Sequence, residues 1–314
     1  MRIIFMGSPN FALPSLKQLI NSEDQIIGVV TQPDRPAGRG HHLKPPPVKD
    51  LAITLDIPVW QFTSLKTEEA VDTLKELAPD LIVVVAYGKI LPKEILAIPP
   101  YGCLNLHASL LPKYRGAAPI NWAIIEGETI TGVTTMWMDE GLDTGDIVLQ
   151  AETEITFEET AGELEARLSR RGAELLVETI RLIKQGKASR KKQDEAQAGF
   201  APLIEKEDGI IDWHLPASHI HNLVRGLNPK PGAYTYWHGK RLKVWRTLPS
   251  MLSQRTSGAE PGQVVSLNPK KEIMVTCGEG QTIYLLQLQM PGKSRLSDAE
   301  FLRGYNIQPG HILG

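Results

Sequence analysis

Short apolar runs alternate with helix-patterned segments along the first part of the chain. Arg2 to Met6, Gln25 to Thr31, Leu81 to Ala86 and Cys103 to His107 read as strands, with helices expected from about Ala12, Val48 and Thr67 between them. Such runs have the length of strands buried on both faces. Strand and helix in alternation imply βαβ units, and so a mostly parallel, Rossmann-like α/β sheet with helices on both faces. Thr129 to Met138 and, beyond Gly141 to Asp146, Ile147 to Ile155 stand at hairpin distance and extend that sheet in an antiparallel sense.

The pattern then changes period. From Thr160 to Gln185 apolar residues such as Ala161, Leu164, Leu168, Leu175 and Leu182 recur at helical spacing, and Gly186 stops the helix. Lys187 to Gln197 is polar and basic with no periodicity, as a linker would be. Beyond it lie one helical patch, Ala217 to Leu223, and five strand-like runs: Ala233 to Trp237, Leu242 to Leu248, Gln263 to Leu267, Glu272 to Thr276 and Thr282 to Leu288. Short strands punctuated by Gly and Pro suggest a small OB-like β-barrel. The expected division is a first domain over 1–189, a basic linker over 190–205 and the barrel over 206–314.

Composition narrows the class. The 314 residues are 42% hydrophobic and 22% charged, ordinary for one or two globular domains. The apolar start breaks at Gly7-Ser8-Pro9, unlike a signal peptide, and no run approaches the roughly 20 apolar residues of a membrane-spanning helix. Cys103 and Cys277 stand alone, without the spacing of a zinc site, and suit a reducing cytoplasm. The net charge of -2 conceals an asymmetry: residues 201–314 hold 13 Lys and Arg against 9 Asp and Glu, net +4, leaving the first 200 at -6. The C-terminal part is therefore the better partner for an anion.

A first strand, a glycine and a helix invite a dinucleotide reading, but Gly7 to Ala12 carries one glycine where that fingerprint needs three, and Pro9 lacks an N–H for a phosphate. No GxxxxGK[ST] phosphate loop occurs. The eight histidines include His41-His42 and the pair His219 and His221, neither at a metal-ligand spacing, so no metal is expected.

The densest constellation runs from Tyr101 to Pro119. Asn105 and His107 lie two apart at the end of a strand, so both face one side, at the edge where open parallel sheets bind ligands. An amide donor beside an imidazole suits an oxyanion. Asp143, between two glycines in Gly141 to Gly145, is the natural partner of His107. A histidine among apolar residues is also an ordinary core group, and an aspartate between glycines, like Asp139 and Asp146, an ordinary turn residue. With no serine or cysteine placed as nucleophile, the three together suggest acyl transfer to a nucleophile that the substrate supplies.

Five motifs resemble the folate-dependent formyltransferases: Gly7 to Ala12, Gln32 to Gly40, Asn105 to Pro112, Arg115 to Ile120 and Gly141 to Asp146. The likeness covers nearly the whole chain. It implies that Asn105, His107 and Asp143 are catalytic and that Ser109, Leu110, Leu111 and Pro112 help bind the reduced folate. It further implies 10-formyltetrahydrofolate as donor and the α-amine of initiator methionyl-tRNA as acceptor; a DNA partner and a membrane are not expected, and a monomer is the default. Arg35, Arg39 and Lys44, in the basic stretch Asp34 to Lys49, are then the tRNA contacts on the first domain, although a solvated surface loop reads the same way. The basic linker and second domain would hold phosphates in a salt-sensitive manner.

Other functions fit some of the same residues. A transferase acting on a purine precursor or sugar nucleotide would keep the catalytic trio but has no evident use for both the basic loop and the barrel. A formyl-folate hydrolase or the front part of a folate dehydrogenase is a further alternative, and a non-catalytic RNA-binding module would need no such trio.

Overall fold

The structure, a computed structural model, describes residues 1–37, 42–250, 258–267 and 273–314. The chain forms two compact units: 1–119, 130–154 and 165–202 make the first, and 120–129, 155–164 and 203–314 the second.

The first unit is built on a seven-stranded sheet. Its order is Ile147–Glu154, Ile130–Trp137, Cys103–His107, Leu81–Val85, Arg2–Gly7, Gln25–Val30, Val59–Trp60. Every pairing from Cys103–His107 to Val59–Trp60 is parallel. Those on the other side, through Ile130–Trp137 and Ile147–Glu154, are antiparallel. Leu81–Val85 and Cys103–His107 are buried at every position, which is why they carry unbroken apolar runs instead of alternation.

Helices cover both faces. On one, Ile4, Met6, Ile82, Val84 and Cys103 pack with Ala70, Val71 and Leu74 of the helix Glu68–Glu76. Thr67 caps that helix by accepting from the Ala70 amide, satisfying one of its free N–H groups. On the other face lies the long helix Ala161–Lys184, where Gly172 admits the side chain of Leu106 and the Thr179 hydroxyl bonds that of Thr135 at 2.8 Å. Asn105 and His107, in step with Cys103, thus face the first layer.

The second unit holds an antiparallel sheet in the order Tyr234–Trp237, Lys240–Pro249, Thr282–Gln289, Ile273–Thr276, Val264–Leu267, with Leu296–Ser297 also paired to Thr282–Gln289. Irregular register in two of these ladders bends the strands, and the described pairings give a curled half-barrel. Its core joins Ile220 and Val224 of the helix Ala217–Gly226 to Leu242, Val244, Ile283, Leu285 and Phe301. Trp237 is packed there, 8% exposed. The stretches 120–129 and 155–164 are tied to this unit by Asn121 Nδ2 donating to Gly226 O at 2.7 Å and by Arg225 donating to the carbonyls of Thr156 and Glu159 at 3.2 Å.

Candidate active site

The strand Cys103–His107 delivers its side chains where the sheet changes from parallel to antiparallel pairing. Asn105 sits between Val84 and Met136, and His107 lies opposite Thr134. Both are buried, at 8% and 6% exposure. The Asn105 side-chain amide makes no hydrogen bond to any described residue and is not among the fully buried unpartnered polar atoms, so it is open to a ligand.

His107 is held at its far nitrogen. Nε2 lies 2.9 Å from the carbonyl of Tyr114, which can only accept, so Nε2 carries a hydrogen. Nδ1 is therefore turned toward Asp143, whose Oδ2 lies 3.7 Å away. The same Oδ2 accepts from the backbone N–H of Gly116 at 2.9 Å. Tyr114 and Gly116, one residue either side of Arg115, thus gauge the histidine and the aspartate from a single stretch of backbone.

The turn carrying Asp143 is built around close approach. Asp143 itself adopts φ 54°, a left-handed conformation that Asp tolerates better than most residues. A side chain at Gly145 would run into the carbonyl of Trp137. The capping duty within the turn falls to Asp139, whose Oδ1 accepts from Gly141 N at 3.0 Å and from the Thr144 hydroxyl at 2.7 Å. Asp143 instead reaches a partner 27 residues away, so the plain turn reading describes Asp139.

Of the run Ser109 to Pro112, two members are turned inward. Ser109 is fully buried, its hydroxyl donating to Lys113 O at 2.7 Å, and Leu111 packs with Met136 and Ile147. Thr134 holds the run from beneath, donating to Ser109 O at 2.6 Å and accepting from Leu111 N at 3.1 Å. Leu110 and Pro112 are half-buried. A cavity of about 590 Å³ lies beside the Asp143 turn, lined by Lys93, Leu96, Ala97, Met138, Asp139, Glu140 and Gly141.

Arg35 and Lys44 stand opposite each other on a two-stranded hairpin, Arg35–Ala37 with His42–Lys44, and both are exposed. Arg39 lies outside the described residues. Lys49, the last cation of the same stretch, is committed: Nζ bonds both Asp34 oxygens at 2.9 Å and Gln61 Oε1 at 2.7 Å. Hydrogen bonds from Lys49 and Gln61 hold the Asp34 carboxyl below its ordinary range. Among the described residues, no group of three or more His, Cys, Asp or Glu is arranged to hold a metal, and no helix is long and apolar enough to cross a membrane. Burial pushes both thiols, Cys103 and Cys277, up to about 12. Neither offers a thiolate nucleophile.

Sequence reasoning missed Gln193. Its Nε2 donates to the carbonyls of Asp143 and Gly145 at 2.7 and 2.8 Å, while its Oε1 accepts from Arg115 Nε and from one terminal guanidinium nitrogen of Arg115 at 3.1 and 2.9 Å. It falls in a polar stretch without periodicity, and nothing in the sequence marks it.

A family model described as formyl transferase matches residues 1–180, and one described as formyl transferase, C-terminal domain, matches residues 203–306. The methionyl-tRNA formyltransferase of Desulforamulus reducens is 51% identical over 314 residues, covering all of this chain and 98% of that protein. That of Geobacter sulfurreducens is 50% identical, covering all of this chain and 97% of that protein. Among solved structures, the N-formyltransferase from Helicobacter canadensis, in complex with folinic acid and dTDP-3-aminofucose, shares the fold: TM-score 0.69 at 20% identity, over 92% of this chain and 99% of that one. Matched along both of its parts and half identical to full-length relatives, the chain belongs to the formyl transferase family.

Proposed function

We propose that this chain transfers the formyl group of 10-formyltetrahydrofolate to the α-amine of methionine on initiator methionyl-tRNA, with Asn105, His107 and Asp143 as the catalytic set. The observation that carries the roles is a free amide and an imidazole sharing the end of one central strand, with a carboxylate 3.7 Å from the ring. The acceptor is supported by relatives about half identical over their full length that are named methionyl-tRNA formyltransferases.

The neutral amine attacks the formyl carbon, forming a new C–N bond and a tetrahedral oxyanion. Asn105 Nδ2 donates to that oxygen as its charge develops. With Nε2–H committed to Tyr114, His107 donates to it only through Nδ1, which requires the doubly protonated ring, with Asp143 beside it as counter-charge. Collapse breaks the bond between the formyl carbon and the folate N10. The proton lost by the amine is passed to N10, with Asp143 the nearest carboxylate to relay it. No acyl-enzyme forms, consistent with the absence of an activated nucleophile among the described residues.

The reduced folate lies along Ser109, Leu110, Leu111 and Pro112, where Leu110 and Pro112 are the half-buried members of the run. Arg35, Arg39 and Lys44 meet the tRNA, and the net-positive C-terminal part meets its backbone. These substrates imply the cytoplasm, and the chain acts as a monomer. The test is to supply the purified protein with 10-formyltetrahydrofolate and either charged initiator or charged elongator methionyl-tRNA, then count formylmethionine after ester hydrolysis. Formylation of the initiator species alone is expected. Donor consumption without formylmethionine would replace the reading with a hydrolase.

A further inference from the structure

Arg115 is the most enclosed charged side chain among the described residues of the first unit, 2% exposed, and the proposed reaction gives it no role. Its backbone neighbours do take part: the Tyr114 carbonyl fixes His107 and the Gly116 amide fixes Asp143. The register of 114–116 therefore sets the spacing between ring and carboxylate. Two things hold that register. The two-residue ladder with Phe200–Ala201 binds it from the backbone side, with Arg115 N donating to Gly199 O at 2.7 Å. A side-chain clamp binds it from the other: Glu195 accepts from the two terminal nitrogens of Arg115 at 2.9 and 2.7 Å, and Gln193 accepts from Nε and one of them.

Gln193 joins the Arg115 clamp to the Asp143 turn. A side-chain amide has one acceptor and two hydrogens to give, and here all are spent: the oxygen on Arg115, the nitrogen on the carbonyls of Asp143 and Gly145. We propose that Gln193 is a positioning residue that locks the Asp143 turn to Arg115 and so sets the carboxylate against His107. A carboxylate would not serve, since it has no hydrogen for the two carbonyls, and neither lysine nor arginine would accept from Arg115. Glutamine matches all three partners.

The inference rests on the role given to Asp143. Its test uses the full chain in four forms: wild type, Gln193→Met, Asp143→Asn and the double variant, with Gln193→Glu as a second probe that keeps the acceptor and removes the donor. For Gln193→Met, kcat should fall roughly tenfold to a hundredfold, as displacement of a positioned group by about 1 Å does, while KM for both substrates changes little. The pH profile of kcat should change with it. In the Asp143→Asn background the Met substitution should add almost nothing, because the carboxylate it positions is gone. Gln193→Glu should match Gln193→Met. Loss of thermal stability with unchanged kcat, or losses that multiply in the double variant, would overturn the clamp. Full turnover in Asp143→Asn alone would instead sink the catalytic reading beneath it.

Discussion

Asn105 carries the sharpest expectation for a single side chain. Its residue is buried and its amide uncommitted, so Asn105→Ala removes the proposed donor to the transition state without breaking a hydrogen bond within the described protein. Turnover should fall by about 10² to 10³, or roughly 3 to 4 kcal/mol of barrier, with thermal stability nearly unchanged. Single-turnover formylation measures this, and a loss confined to KM would mean that the amide binds substrate without stabilising the transition state. Asn105 and His107 were legible because a two-residue spacing on a strand fixes a shared face whatever the tertiary details. Asp143 was legible from its glycine neighbours, although only the structure distinguishes it from Asp139, which does the turn's own capping. Gln193 was not, because its role depends on which distant carbonyls it meets.

At the level of elements, the buried strands could be read from apolar runs and the long helix from its spacing, within a residue or two at its ends. Pieces of two residues could not. Val59–Trp60 at the sheet edge, and Arg115–Gly116 with Phe200–Ala201, are too short to carry a period and exist only through pairing. The curl of the C-terminal sheet arises from bulges that depend on partner strands. The helix Ala217–Gly226 supplies a pH dependence of its own. His221, 3% exposed, has Nε2 3.0 Å from the Phe157 carbonyl and Nδ1 3.0 Å from the Thr247 hydroxyl, with its ring stacked on Phe157. Burial, the largest cause, pushes its pKa below 6.5. The folded state therefore prefers the neutral ring. That contribution is complete above the unfolded value and is lost as pH falls from there toward the folded one. Melting temperature should accordingly drop between about pH 7.5 and about pH 5.5 more steeply in the wild type than in His221→Gln. Parallel curves would refute the assignment.

Across the whole molecule, charge and backbone protection are unevenly spread. The acidic first 200 residues hold the proposed catalytic set, while the positive remainder suits a polyanion. The two sides of the proposed catalytic set also differ in anchorage. His107 and Asn105 belong to a strand laddered on both edges; Asp143 belongs to a turn. Native-state hydrogen exchange should find the amides of Leu104 to Leu106 exchanging only through global unfolding, and those around Asp143 to Gly145 through local opening, faster by orders of magnitude. Equal rates would contradict this. If Asp143 acts as proposed, the central placement of the histidine strand predicts that heat disables the enzyme in two stages: the carboxylate leaves its ring while the sheet is still intact, and formylation fades before the melting signal appears.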